Sequence, residues 1–243
     1  LQGYIEYEEK ILNKLRGQFA FVIYDNITSE LFMARDRIGI KPLYYSVNDD
    51  WILFSSEIKA IELSKLIKFE PDIDSYLAYL RHLCVPADST GNQNIKKLEP
   101  GQFIRINKKG KISKKIYWDP FTFSVNHDLN EKNVVEELDR LLNESVDYRK
   151  VSDVEVGLFL SGGLDSSLLG KLMKQNPDSS LKAFNVDFEE NFEGYIGELE
   201  EARYASNEIG INLHEEKINF DNFKEIFNNY AYYQDDLVGD EVG

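Results

Sequence analysis

From Val154 to Leu160 the chain runs as an apolar, strand-like segment, and from Leu168 to Met173 as a helix-like one. Between them stands Ser161-Gly162-Gly163-Leu164-Asp165-Ser166-Ser167. A small-residue turn from strand into helix leaves backbone N–H groups unpaired and aimed at one point, and the helix dipole makes that point attractive to an anion. A Walker-type loop would place a Lys before its Ser/Thr, and none is present here, so this is a different phosphate device. Ser161, Ser166 and Ser167 are expected to donate hydroxyls to phosphate oxygens, and Asp165 to hold a divalent cation against them. That arrangement suits a grip on the pyrophosphate part of ATP while chemistry proceeds at the α-phosphate. The bland alternative is a glycine-serine turn that caps a helix.

The surrounding pattern agrees with a parallel sheet. Val134, Val135, Leu138, Leu141, Leu142 and Val146 recur at helical spacing ahead of the loop. After it, Leu181 to Phe188 reads as a strand, Glu198 to Ile209 as a helix, Leu213 to Ile218 as a strand and Asp221 to Tyr233 as a helix. Short strands alternating with helices imply βαβ units, whose ligands bind at the carboxyl ends of the strands. Ser161 to Asp165 would sit there.

The first half has another texture. Phe19 to Tyr24 is nearly all apolar, as a strand buried on both faces would be, and Asp25-Asn26 turns it towards Leu31 to Ala34. Pro42 to Tyr45, Trp51 to Phe54, Phe103 to Ile106 and Ile112 to Tyr117 complete a set of short strands with tight turns. Lys108-Lys109-Gly110 reads as a solvated hairpin tip. Arg35, Asp36 and Arg37 read as an internal ion-pair network holding the Gly39 to Pro42 turn, and Glu57 as structural. The expected domains are 1–118 and 131–243, joined by a linker at 119–130.

Composition narrows the classes. A formal charge of −15 over 243 residues argues against a general nucleic-acid or membrane-surface partner. No apolar run approaches the ~20 residues needed to span a bilayer. A single cysteine, Cys84, excludes an internal disulfide framework and fits a cytoplasmic location.

The Ser161–Ser167 segment resembles the pyrophosphate loop of the N-type ATP pyrophosphatases. Upstream, Leu15 to Phe21, Ala34 to Tyr45, Phe54 to Ala60 and Lys97 to Gly101 are similar to the later part of a class II glutamine amidotransferase domain. The two in tandem resemble the glutamine-hydrolysing asparagine synthetase family. The resemblance implies an α+β region followed by an α/β one. The first is the later part of an N-terminal-nucleophile-type glutaminase α/β-sandwich. The second is a doubly wound, parallel-sheet ATP pyrophosphatase domain of the adenine-nucleotide α-hydrolase type. It also implies ATP and Mg²⁺ as cofactors, glutamine and aspartate as further substrates, and a possible homodimer. Ammonia from glutamine would pass down a tunnel and displace AMP from an adenylated aspartate β-carboxylate.

By the same resemblance the ATP site comprises Leu160, Ser161, Gly162, Gly163, Leu164, Asp165, Ser166, Ser167 and Val186, with Asp165 on the metal. Leu160 would touch adenine or ribose and Val186 would line the adenine pocket; ordinary strand packing is the other reading of both. His214 reads as a polar residue at a strand end. Asp235, Asp236 and Asp240 form an acidic stretch of possible site character, with Leu237 where the family usually has proline. No catalytic residue is assigned, because the family's amino-terminal cysteine nucleophile is not in this chain. Cys84 is internal and is expected to be a packed thiol, with His82 at the surface. The chain starts without Met and stops at Gly243, which reads as a fragment expected neither to hydrolyse glutamine nor to make asparagine by itself. Two alternatives stay open: a related amidotransferase acting on another carboxylate, and a non-catalytic nucleotide-binding module.

Overall fold

A computed structural model describes residues 1–86, 88–125, 130–175, 181–189 and 197–237. The chain divides into two units, Leu1–Val125 with Tyr230–Gly243, and Asn126–Asn229.

Period-two alternation builds the first unit. Strands β1 (Ala20–Asp25), β2 (Glu30–Arg35), β3 (Tyr44–Val47), β4 (Ile52–Ser55), β5 (Lys96–Lys97), β6 (Gln102–Ile106) and β7 (Ile112–Ile116) form two antiparallel sheets. Their orders are β1-β2-β6-β7 and β4-β3-β5. Met33, Ile104 and Ile106 on one face of the first sheet share a core with Leu43 and Tyr45 from the second. Phe32, Ala34 and Phe103 point the other way, onto Leu12 and Tyr4 of the short helices α1 (Gln2–Tyr7) and α2 (Ile11–Lys14). On the far side of the second sheet Tyr44 packs with Ile58 and Ile61 of α3 (Ile58–Leu63). The layers therefore run helix, sheet, sheet, helix, the expected glutaminase-type sandwich. Helix α4 (Ile73–His82) is capped by Asp72, whose side chain accepts from Ser75 N–H, and ends at Leu83 in the left-handed region.

Three expectations for this unit need correction. Strand β1 lies at a sheet edge and is only half-buried, with Tyr24 exposed, so its apolar run does not mark a strand covered on both faces. Cys84 is exposed rather than packed, because the chain leaves α4 through the left-handed turn at Leu83 just before it. The charged cluster does hold its turn, but by backbone bonds instead of an Arg–Asp ion-pair network. Arg35 donates to the carbonyls of Lys41 (2.8 Å), Leu98 (2.7 Å) and Gly39 (2.5 Å). Asp36 accepts from the N–H groups of Ile40 and Lys41, both at 3.0 Å, and of Phe19 at 3.3 Å.

The second unit contains α5 (Glu131–Arg149), β8 (Gly157–Phe159), α6 (Leu164–Met173), β9 (Lys182–Phe188), α7 (Leu199–Ile209) and β10 (Asn212–Ile218). Helix α8 (Phe220–Gln234) follows, and the division between units falls within it. Strands β8, β9 and β10 are parallel, in the order β10-β9-β8, one wound half of the expected sheet. Leu158, Leu160 and Ala183 on the buried face pack with Ala202 and Ala205 of α7 and with Ile211. Gly170 brings α6 close to Leu158, Ile209 and Ile211. The strand before the loop is shorter than its apolar run suggests. Pairing with β9 begins only at Gly157, and Val154 is exposed. Helix α5 is capped by Asn130, which accepts from Asn133 N–H; Val146 is buried, while Val134, Val135 and Leu138 are exposed. Part of the expected linker, 126–129, and Asp240 lie outside the described residues.

Candidate nucleotide site

The site begins where β8 ends. Leu160 N–H donates to the Phe184 carbonyl at 2.9 Å and carries the β8–β9 ladder one residue beyond the strand. The Asn185 side chain then donates its Nδ2 to the Leu160 carbonyl, also at 2.9 Å. Both backbone groups of the residue before the loop are thereby fixed to β9. Helix α6 starts at Leu164 and not at Leu168, so Gly163 is its N-cap and Leu164 and Asp165 lie in its first turn. No side chain caps it, and the first internal helical bond is that from Ser167 N–H to the Gly163 carbonyl, at 3.0 Å. The N–H groups of Leu164, Asp165 and Ser166 therefore head a ten-residue helix as an anion-attracting end.

The serines brace the turn. Ser161 and Ser166 hydroxyls lie 3.0 Å apart, Gly163 N–H donates to Ser161 Oγ at 3.2 Å, and Ser161 N–H donates to Ser166 Oγ at 3.3 Å. Ser167 Oγ is buried and has no protein partner among the described residues. Gly162 adopts φ +82°, and a Cβ there would meet the backbone of Glu201 and Ala202 at the start of α7. The loop is thus seated against α7 as well as strung between β8 and α6.

Leu160 and Val186 have different surroundings. Leu160, only 1 % exposed, is a core side chain, so any contact it makes with a nucleotide would come from its backbone. Val186 is 50 % exposed on the opposite, open face of the sheet, beside Phe159, Phe184 and His214. His214 lies within β10, and its ring stacks on Phe184 with centroids 5.2 Å apart. Among the described residues no group of three or more His, Cys, Asp or Glu could hold a metal ion by itself. Asp165 is an exposed carboxylate in the first turn of α6, and the loop contains no cationic side chain.

Asn185 is the residue of the candidate site that the strand pattern concealed. It sits at an inward position of β9, between Ala183 and Asp187, where an apolar residue would normally pack. Its Oδ1 is buried without a partner among the described residues, while its Nδ2 holds the loop entrance. A polar residue at an inward strand position was the available signal.

Comparison with known proteins matches residues 1–118 to the glutamine amidotransferase domain family and residues 137–243 to the asparagine synthase family. The chain belongs to the asparagine synthetase family. It is 37 % identical over 212 residues to asparagine synthetase [glutamine-hydrolyzing] 1 of Bacillus subtilis, covering 87 % of this chain and 32 % of the relative. A putative asparagine synthetase [glutamine-hydrolyzing] 2 of Methanocaldococcus jannaschii is 32 % identical, with 96 % and 47 % covered. Amidase chry2 of Gibberella zeae is 30 % identical, with 96 % and 36 % covered. The chain thus spans from about a third to just under half of the length of these relatives. Within this family assignment, the tandem order of sandwich and parallel sheet is that of an amidotransferase domain followed by a synthase domain. No helix among the described residues is long and apolar enough to cross a membrane.

Proposed function

We propose that the protein carrying this chain is an ATP-dependent, glutamine-fed ligase. It adenylates the β-carboxylate of aspartate and amidates it with ammonia from glutamine, giving asparagine, AMP, pyrophosphate and glutamate. The observation that carries this reading is the Ser161–Ser167 turn, seated at the carboxyl end of β8 with the uncapped head of α6 behind it.

The chemistry asks for such a loop. As a carboxylate oxygen bonds to the α-phosphorus, the bond from that phosphorus to the pyrophosphate oxygen breaks and negative charge grows on the leaving group. The N–H groups of Leu164, Asp165 and Ser166 are fixed before reaction, so they take up this charge without reorganising. Ser161 and Ser166 would exchange their mutual hydrogen bond for bonds to phosphate oxygens, and Ser167 Oγ would gain the acceptor it lacks. With no protein cation in the loop, Mg²⁺ bound by Asp165 and the phosphates would supply the remaining neutralisation. Val186 would meet the adenine on the open face, and Leu160 would contribute through its backbone.

The proposed domains are 1–118 and 131–243, with a linker at 119–130, in a cytoplasmic enzyme. The family's glutaminase nucleophile is an amino-terminal cysteine, and Cys84, inside the chain, has no free amine to serve as its base. Glutamine labelled in its amide nitrogen, supplied with ATP and aspartate, tests the reading. Label recovered in asparagine supports it. Label recovered in the amide of another carboxylate would favour the second reading, suggested by the similarity to a protein named an amidase.

A further inference from the structure

Asp235 and Asp236 follow α8 within the span matched to the asparagine synthase family, yet they fold with the amidotransferase unit. Asp235 adopts the left-handed backbone region, φ 64°, and its N–H closes α8 on the Ala231 carbonyl at 3.2 Å. That turn sends two neighbouring carboxylates to different elements. Asp235 accepts from the N–H groups of Ile58 and of Lys59 (2.9 Å) at the start of α3. Lys59 answers: its Nζ donates to the Tyr232 carbonyl at 2.9 Å and lies 4.6 Å from the centre of the Tyr232 ring.

Asp236 goes to the second sheet. Its Oδ2 accepts from Tyr44 hydroxyl at 2.9 Å and from Lys97 Nζ, residues paired directly across β3 and β5. Its side chain is only 6 % exposed and that of Lys97 15 %. Its Oδ1 accepts from Leu237 N–H, and Leu237 in turn lies beside Gly91. Every carboxylate oxygen of the two residues therefore accepts from at least one protein donor. Breaking a buried charge pair of this kind strands the surviving charge, so such an attachment resists release.

We infer that Asp235 and Asp236 form a tether fixing the carboxyl end of α8 within the amidotransferase unit, and that they are positioning residues for the transfer of ammonia. The transfer half rests on the function proposed above; the tether half does not. Ammonia diffuses freely, so its productive use requires that the chain leaving the amidotransferase unit be held in place, and the tether seats the carboxyl end of α8 there.

Two measurements test this. In the 243-residue chain, Asp235→Ala should speed amide hydrogen exchange at Ile58 and Lys59 by about tenfold or more, whereas Asp221→Ala should not. Unchanged exchange overturns the tether. In the full-length protein, Asp236→Ala should raise the glutamate formed per AMP released by about twofold or more, with synthesis from free ammonia held within about twofold. Asp236→Asn, which keeps an acceptor for Tyr44, should fall between. Equal loss of glutamine-fed and ammonia-fed synthesis overturns the positioning role. If the unmodified protein amidates nothing with glutamine, the proposed function and the transfer role fail together, and hydrogen exchange alone judges the tether.

Discussion

A Cβ built on Gly162 lies 2.3 Å from the carbonyl carbon of Glu201, so the phosphate loop and the first turn of α7 meet as closely as backbone allows. Residue 162 must also hold φ +82°, which costs an L-residue about 1–2 kcal/mol before any clash is counted. Gly162→Ala should therefore lower unfolding stability by at least about 2 kcal/mol and weaken ATP binding as the loop is pushed off α7. Urea unfolding with nucleotide titration checks both; an alanine variant of unchanged stability would mean the loop has room that the geometry denies it.

Leu160 and Val186 separate packing from ligand contact. Leu160→Ala empties part of the α7 core cluster and should cost about 2–4 kcal/mol of stability. Val186→Ala removes a half-exposed side chain and should change stability by less than about 1 kcal/mol. If the open face receives adenine, Val186→Ala nevertheless weakens ATP binding measurably in calorimetry. Equal affinity in the variant and the parent would remove Val186 from the site.

Asp36 gives the first unit a pH signature. Burial alone would raise its pKa, but the N–H donors of Lys41, Ile40 and Phe19 outweigh that and hold it below the ordinary carboxylate value. A group with a depressed folded pKa contributes stability above its unfolded pKa of about 4 and loses it as the pH falls through the folded value. Asp36→Asn should therefore be less stable than the parent at pH 7, by about 1–3 kcal/mol. The gap should narrow below about pH 4 as the parent's carboxylate takes up its proton. A gap that stays constant across chemical denaturation at several pH values would contradict this account.

Much of the fold was legible because its signals are local. The strand–turn–helix order at Ser161, the alternation at Phe32, Met33 and Ala34, and the hairpin into β7 each depend on near neighbours in the sequence. What stayed hidden depends on distant ones. Nothing in the residues around β1 reveals that it forms a sheet edge, and nothing beside Cys84 reveals the left-handed exit from α4. The same holds for the site. The loop residues are contiguous and readable, whereas the bond from Asn185 to Leu160 and the docking of Asp235 and Asp236 join residues far apart in the chain.

The central claim is that the Ser161–Ser167 turn holds the pyrophosphate of ATP with Asp165 on its metal. Exchange of radiolabelled pyrophosphate into ATP, measured on the full-length protein with aspartate present, tests it most directly. The expected result is acceptor-dependent exchange that falls by about a hundredfold or more in Asp165→Ala while glutamine hydrolysis persists. Exchange at the parent's rate in Asp165→Ala would contradict the account.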